Sequence, residues 1–553
     1  MDHTKYLPFE PPVMAERRWP KNTITKAPIW CSVDLRDGNQ ALEVPMNLSQ
    51  KLEFFNFLVR IGFKEIEVGF PAASDTEFEF VRTLIERDMI PEDVTIQVLT
   101  QSREHIIRRT FEAVAGVKKA IVHLYNSTST LQRDVVFGKS MAEVKEIAVS
   151  GAKQMIELAE KYGRERFGFE YSPESFTQTE PDYAAEVVNA VLEVLRPTAG
   201  RKVIINLPST MEMSTPNVYA DQIEYVTDRI NRKENVIISL HAHNDRGTAV
   251  ASTELALLAG ATRVEGTLFG NGERTGNADI INLALNLYTQ GIEPGLDFSE
   301  IDEAIKIYEQ STGLFVHPRH PYAGSLVFTA FSGSHQDAIN KGMSRMLSRK
   351  EQKVWSIPYL HIDPKDIGRD YDPIIRINSQ SGKGGVAYVL SANYGIILPK
   401  AMQPELGTLI TGISDERNRQ LTGQEIYEIF RHEYVNIETP INLISYNETS
   451  GDDETLVTSR LMIRGEEHEI SGRGSGIIDA FCAALAERIK VPMEVAEYNE
   501  HSLDYGSQSR AITYIAVKSG EKIYFGSGIS RSITKSSLKA LVSAANKLYN
   551  TGK

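Results

Sequence analysis

An alternation repeated eight times constrains this chain more than any other feature. Between residues 28 and 272, short β-branched runs each end in a polar or Gly/Pro cluster and lead into a longer segment with helical periodicity. The runs read APIWCSVDLRDG (27–38), FKEIEVGFP (63–71), VTIQVLTQ (94–101), KKAIVHLYNS (118–127), RFGFEYSPES (166–175), KVIINLPST (202–210), NVIISLHAHND (235–245) and TRVEGTLFGNG (262–272). Between them, stretches such as SQKLEFFNFLVRIG and EVKEIAVSGAKQMIELAEKYG carry their charges on one helical face. Eight such units predict an α/β fold, a closed (β/α)8 TIM barrel of parallel strands. An open doubly wound sheet competes with this reading, but it usually has fewer strands and carries its fingerprint glycines after the first. Here the first run leads into Asp34-Leu35-Arg36-Asp37, the wrong chemistry for a dinucleotide turn.

The alternation stops near residue 273. From there to about 430 the chain reads as helical linker subdomains, broken by HPRHPYAG (317–324), SIPYLHIDP (356–364) and SGKGG (381–385). From about 431 the pattern becomes two β-hairpin-like pairs, each followed by a Gly-rich turn and a helix. Gly465 and Gly520, each followed by Glu, anchor an internal repeat of about 55 residues. The expected organisation is an N-terminal extension (1–27), a barrel (28–300), linker subdomains (301–430) and a C-terminal α+β domain (431–553).

Composition excludes several functions. At ~150 residues per domain, 553 residues make roughly three to four domains, too many for a single small binding module. A formal charge of -13 repels nucleic acid and anionic lipid, so neither is an expected partner, and an anionic substrate would need local cations or a metal. Cys31 and Cys482 stand far apart with no paired spacing, which argues against a disulfide framework or a zinc finger and fits a reducing, cytoplasmic location. No run approaches the ~18 apolar residues of a membrane span, and MDHTKYLPFEPP lacks the regions of a secretory signal.

His241 and His243, two apart on a strand, point to the same face at its carboxyl end, where barrel active sites form. Two imidazoles on one face suit a metal; the alternative is a pair satisfied by neighbouring loops. Asp37 ends the first strand, which a closed barrel places beside the eighth, so its carboxylate could reach the same metal. Alone it would read as a turn former before Gly38. Mixed N/O ligation permits zinc, manganese or magnesium. Arg36 could hydrogen-bond a carboxylate or an enolate-like oxygen, or be merely an exposed loop residue. Glu174 and His123 would face the barrel mouth, each alone as compatible with a structural role. GNGERTGN (270–277) follows the last strand and is not a dinucleotide loop, and SGKGG lacks P-loop spacing and reads as a helix start.

DLRDGNQAL (34–42), HAHNDRGTAV (241–250) and EGTLFGNGERTGNAD (265–279) resemble the three signatures of the acyl-transferring branch of the metal-dependent barrel aldolase/lyase family. The likeness extends through SPESFTQTE, NLPSTMEMSTP and NSQSGKGGVAY to the C-terminal region, and is to the long-form group that makes 2-isopropylmalate. The resemblance implies a divalent metal on Asp37, His241 and His243, with Asn277 in or next to the shell. It further implies 3-methyl-2-oxobutanoate chelating that metal, Arg36 polarising its keto oxygen and Thr210 binding its carboxylate. Leu99, His123, Tyr125, Ser172, Glu174, Asn206 and Pro208 match positions lining the keto-acid pocket. Acetyl-CoA would lose a methyl proton, its enol would attack the keto carbon, and thioester hydrolysis would release CoA.

His335 in SGSHQD matches a linker histidine brought over the neighbouring subunit's barrel as base, and Tyr359 in SIPYLHID a supporting tyrosine, which implies a homodimer. The C-terminal repeat (431–553) resembles the family's leucine-binding regulatory domain, which inhibits the barrel when the end product accumulates. Its turns GRGSG (Gly472, Gly474, Gly476) and GSGIS (Gly526, Gly528) would approach the effector, or would be helix starts in a dimerisation domain. Departures there read GRGSGIID and HSLDYGSQS. Potassium is an expected activator of the family with no visible cue in this chain. Homocitrate or citramalate synthesis at the same metal site is the neighbouring reading. An amino-acid sensor with an inactive barrel is the different-class one, and would require loss of a metal ligand or of Arg36. Small apolar or aromatic walls such as Leu99 and Tyr125 suit an isopropyl group. A lyase would call for a loop cysteine after the eighth strand, where this chain has none.

Overall fold

A computed structural model describes residues 2–329, 332–348, 354–371, 383–417, 421–451, 454–504, 506 and 509–551. The chain divides into two compact units, residues 1–327 with 364–370, and residues 328–363 with 371–553.

The first unit is the expected barrel. Its strands are β1 (Ile29–Ser32), β2 (Glu65–Gly69), β3 (Thr95–Gln101), β4 (Ala120–Ser127), β5 (Phe167–Glu174), β6 (Val203–Ser209), β7 (Val236–Ala242) and β8 (Arg263–Gly266). All pair in parallel in sequence order, and β1 closes on β8 through Cys31 and Glu265. Around them run α1 (Leu48–Arg60), α2 (Asp75–Glu86), α3 (Glu104–Ala113), α4 (Met141–Tyr162), α5 (Pro181–Leu195), α6 (Pro216–Thr227), α7 (Ala249–Leu258), α8 (Ile280–Tyr288) and α9 (Ile301–Thr312). Local chemistry starts several of them. Asn47 with Gln50 and Ser140 with Glu143 form capping boxes on α1 and α4, and proline opens α5 and α6.

Strand alternation decides what fills the barrel. Laterally paired residues share a face, so Glu67 with Gln97, Leu99 with His123, Asn206 with Ser239 and His241 with Glu265 are set side by side. Outward positions such as Ile66, Val98, Leu124 and Val264 are fully buried under the helices.

The second unit begins with α10 (Gly333–Ser348), α11 (Lys383–Tyr394), α12 (Gln403–Glu416) and α13 (Gly423–Tyr434). The helix start expected at SGKGG is α11, although Ser381 and Gly382, like Tyr505, Ser507 and Gln508 of HSLDYGSQS, lie outside the described residues. The repeat follows as β9 (Ile441–Ser450), β10 (Thr455–Ile463), β11 (Glu466–Gly474) and α14 (Ile477–Ile489), then β12 (Glu494–Ser502), β13 (Ala511–Ser519), β14 (Lys522–Ser530) and α15 (Ile533–Thr551). Each half is a three-stranded antiparallel sheet with a helix, so the expected hairpins gain a preceding strand. The second sheet is covered on both faces. Ile515 and Val517 join the core around α14 and α15, whereas Ile512, Tyr514 and Ala516 join Val389, Leu406 and Phe430 of α11, α12 and α13.

The Gly-rich turns need correction. Gly472 and Gly474 lie inside β11, and Gly526 and Gly528 inside β14. A Cβ at Gly472 would strike the Ala480 carbonyl oxygen, and one at Gly528 that of Ser536. These glycines let each helix lie close on its own sheet. Gly476 alone of the five lies outside a strand, as the N-cap of α14. Among the described residues no helix is long and apolar enough to cross a membrane.

Candidate active site

A cavity of about 210 Å³ opens at the carboxyl ends of the barrel strands. Its lining includes Arg36, Asp37, Leu99, His123, Tyr125, Ser172, Glu174, Asn206, Pro208, Thr210, His241 and His243, twelve of the residues singled out in the sequence. Arg36 and Asp37 reach it from a π-helical turn, Asp34–Gly38, which follows β1 directly. Such wide turns recur at functional sites because they re-aim side chains within one element.

Asp37 Oδ2 stands 3.6 Å from His241 Nε2 and 3.7 Å from His243 Nε2. Those separations exceed hydrogen-bonding range, so these three groups face one another across a gap. All three are buried, and their ligand atoms lie within 4.8 Å of one another, a spacing that could hold a metal ion. The surroundings agree. Asn277 Nδ2 donates to Asp37 Oδ2 at 2.8 Å, while its buried Oδ1 has no partner among the described residues. An orphaned buried acceptor beside one carboxylate and two imidazoles is a donor set that would suit a divalent cation.

Electrostatics hold the three groups in different states. Burial opposes the charge on Asp37, but Arg36 and the histidines hold its carboxyl well below the usual range. Burial also opposes a charge on His241, yet Asp37 and Glu265 outweigh it and raise the ring to about 9. His243, buried and beside His241, falls to about 4. His241 Nδ1 is 2.8 Å from Glu265 Oε2, which fixes the ring with Nε2 toward Asp37.

Beneath the cavity lies a polar layer that motif reading missed. Arg263 is fully buried and donates to Glu65 at 2.6 Å, Glu265 at 2.9 Å, Ser239 at 2.8 Å and Gln97 at 2.8 Å. Gln97 Nε2 bridges Glu67 at 2.7 Å and Glu265 at 2.8 Å. Arg36 Nε pairs with Glu67, and its Nη1 with Asp37 Oδ1 at 2.6 Å. Glu170, buried beside Glu265, has its carboxyl pushed well up. Glu67, His123 and Glu265 also have metal-like spacing, but His123 Nδ1 already bonds Glu67 at 2.8 Å and both carboxylates carry Gln97 and arginine donors. A signal was present: polar residues at alternate strand positions, as in the Arg263 and Glu265 of TRVEGT.

At the rim, His123 Nε2 meets Ser172 Oγ at 2.7 Å, Asn206 Nδ2 donates to Ser172 at 3.1 Å, and Thr210 Oγ1 accepts from Ser175 N at 2.9 Å. Burial raises the carboxyl of Glu174, with Arg36 pulling the other way. Gln40, Glu273 and Arg274 also line the cavity. Arg274 is held by Asp245 at 2.6 Å. His335 and Tyr359 belong to the second unit, where their rings stack at 4.0 Å.

Residues 27–307 match the HMGL-like family, residues 325–391 the alpha-isopropylmalate synthase post-catalytic domain-like family, and residues 420–549 the LeuA allosteric (dimerisation) domain. A 2-isopropylmalate synthase of Acetoanaerobium sticklandii is 59% identical over 99% of this chain and 97% of that protein. One of Clostridium acetobutylicum is 53% identical over 99% of each. Among solved structures, a hydroxymethylglutaryl-CoA lyase of Pseudomonas aeruginosa is 20% identical, with a TM-score of 0.44 over 55% of this chain and 99% of that one. The chain belongs to the 2-isopropylmalate synthase family.

Proposed function

We propose that this chain condenses acetyl-CoA with 3-methyl-2-oxobutanoate and hydrolyses the thioester, giving 2-isopropylmalate and CoA, with a divalent cation held by Asp37, His241 and His243 and bordered by Asn277. The observation that carries the reading is the buried Asp37–His241–His243 triad facing a gap beside an unpaired Asn277 Oδ1. A bound magnesium, manganese or zinc ion supplies Lewis acidity that stabilises negative charge on the keto acid's oxygens.

The chain's own groups do the rest. Arg36, fixed by Glu67 and Asp37, offers a guanidinium edge to the keto oxygen as alkoxide charge develops. Thr210, Ser172 and Asn206 orient the carboxylate end, and Leu99 and Pro208 give the isopropyl group an apolar wall. A dicarboxylic oxo acid would need a further free cation. Among the described lining residues the second guanidinium, Arg274, is engaged by Asp245 and the Thr210 carbonyl, which favours the monocarboxylic substrate. Glu174, whose carboxyl burial pushes upward against the pull of Arg36, is placed to exchange a proton at the mouth.

His335, paired with Tyr359, removes the acetyl-CoA methyl proton when supplied by a second copy. Exposed Val44, Leu131, Val135 and Val136, on the loops after β1 and β4, support a partner at the barrel mouth. Potassium is the proposed monovalent activator. Leucine is the proposed inhibitor. A cavity of about 480 Å³ beside α14, lined by Ile477, Ile478, Met493 and Val495 with Asp479 and Glu494, suits an apolar side chain carrying an ammonium.

The test is release of CoA thiol by purified protein with magnesium or manganese across a panel of 2-oxo acids, with and without leucine. Preference for 3-methyl-2-oxobutanoate with loss of rate on adding leucine is expected. Preference for 2-oxoglutarate or pyruvate would overturn the substrate assignment, and no release from any would overturn the catalytic one. His335→Ala should lower turnover while manganese binding persists; unchanged turnover would remove that histidine from the mechanism.

A further inference from the structure

A buried lysine stands behind the turn that carries Arg36 and Asp37. Lys51, Phe54, Phe55 and Leu58 form the inward stripe of α1, the i, i+3, i+4, i+7 set that a helix docked on a barrel fills with apolar residues. Three of the four are apolar. Lys51 is fully buried instead, its Nζ paired with the Glu77 carboxylate and 5.0 Å from the centre of the Phe80 ring. Burial pushes its pKa down, against the pull of Glu77. A buried ion pair is a poor means of stabilising a helix interface, because the desolvation cost offsets most of the attraction.

The geometry gives the charge other work. Lys51 Nζ also donates, at 3.2 Å, to the carbonyl oxygen of Leu35, inside the π-helical turn and immediately before Arg36. Glu77 ties the same group to the end of β2, its second oxygen accepting from Phe70 N at 3.3 Å. A Cβ on Gly69 would fall on that carboxylate, so the backbone there makes room for it.

We propose that Lys51 is a positioning residue, which clamps the Leu35 carbonyl so that the wide turn presents Arg36 and Asp37 to the cation site. The proposal rests on the metal reading above. An apolar residue at 51 would fill the stripe and leave the Leu35 carbonyl without this donor, and the turn could relax toward ordinary helical winding, rotating Asp37 away from His241 and His243.

The experiment uses full-length protein and three readouts: manganese affinity by paramagnetic resonance without substrates, kcat and KM for the oxo acid, and thermal stability. Lys51→Met/Glu77→Met removes both charges of the pair together, so neither is left without its counter-charge. It is expected to stay folded, with manganese bound at least tenfold more weakly and kcat at least tenfold lower, while KM shifts less. Wild-type manganese affinity and kcat in that variant would overturn the proposal, whatever its melting temperature. Glu77→Gln keeps the ammonium on Leu35 and should retain near wild-type affinity; a tenfold loss there would assign the effect to the ion pair instead. Should the double variant fail to fold, Lys51→Met/Glu77→Gln, which keeps an amide for Phe70 N, takes its place, with the same losses expected and wild-type manganese affinity and kcat again overturning the proposal. If the wild-type chain binds no manganese, the metal reading fails rather than this one.

Discussion

The mouth of the barrel and the seam between β14 and α15 both contain space a side chain could have filled, and they use it in opposite ways. At the seam, Gly526 and Gly528 leave out a Cβ and the protein's own helix occupies the room, with Ala540 and Ala544 against the strand. At the mouth, Asp37, His241 and His243 bring their ligand atoms within 4.8 Å of one another, and among the described residues buried His243 Nδ1 and Asn277 Oδ1 have no hydrogen-bond partner. Space closed by the chain itself is packing. Space bordered by buried donors and acceptors without a protein partner is room that a bound ion or ligand would satisfy, because a buried polar group needs a hydrogen-bonding or coordinating partner.

The largest effect should come from removing charge at the mouth. Asp37→Asn is expected to lower turnover roughly a thousandfold, a loss of about 4 kcal/mol at ~1.4 kcal/mol per tenfold, and to weaken manganese binding while the melting temperature hardly moves. Steady-state rates beside a metal titration check this; unchanged metal affinity would erase the distinction between the two spaces. Next, Gly528→Ala should destabilise the second unit by about 3 kcal/mol, the upper range for overpacking, since the added methyl meets backbone rather than a movable side chain. Denaturant melts would show it, with manganese affinity unaffected. If Gly528→Ala is neutral, the seam holds unfilled room and the comparison breaks.

Glu265→Gln sharpens the comparison from beneath the site. It keeps the shape of the His241 partner but removes its charge, so metal affinity should fall about 10- to 100-fold with the fold retained. The smallest effect is expected at Gly476, whose φ of -169 is extended and whose Cβ position is open. Gly476→Ala should cost only about 0.5 kcal/mol, alanine being the poorer N-cap, as a calorimetric scan would read. A cost equal to that of Gly528→Ala would mean that the strand glycines are not distinguished by their contacts.

Much of the first unit was legible in the chain. Eight β-branched runs separated by amphipathic stretches became eight parallel strands and their helices, and the histidine pair and Asp37 converged as the adjacency of first and last strands requires. Legibility was lower where residues act through others. Glu265 and Arg263 sit in a run that reads as an ordinary strand, and Lys51 in an ordinary amphipathic helix. What marks them is a charge on the buried side, visible only once the direction of the buried side is known. The strand glycines were misplaced for a related reason: Gly-x-Gly before a helix has the composition of a turn, and its role as a flat track for a helix depends on the partner element.

The sequence by itself determined periodicity, and with it the alternation of elements, the inward set of each barrel strand and the identity of the ligand-type side chains. These are local properties, since side-chain direction along a strand or helix follows from backbone geometry within a few residues. Only the tertiary structure decided which inward groups share a layer, which polar atoms remain unpaired, and which glycines face a helix. Those depend on barrel closure, which brings Asp37 beside His241, His243 and Asn277, residues that no short stretch of chain contains, and on how α15 docks back onto the neighbouring β14.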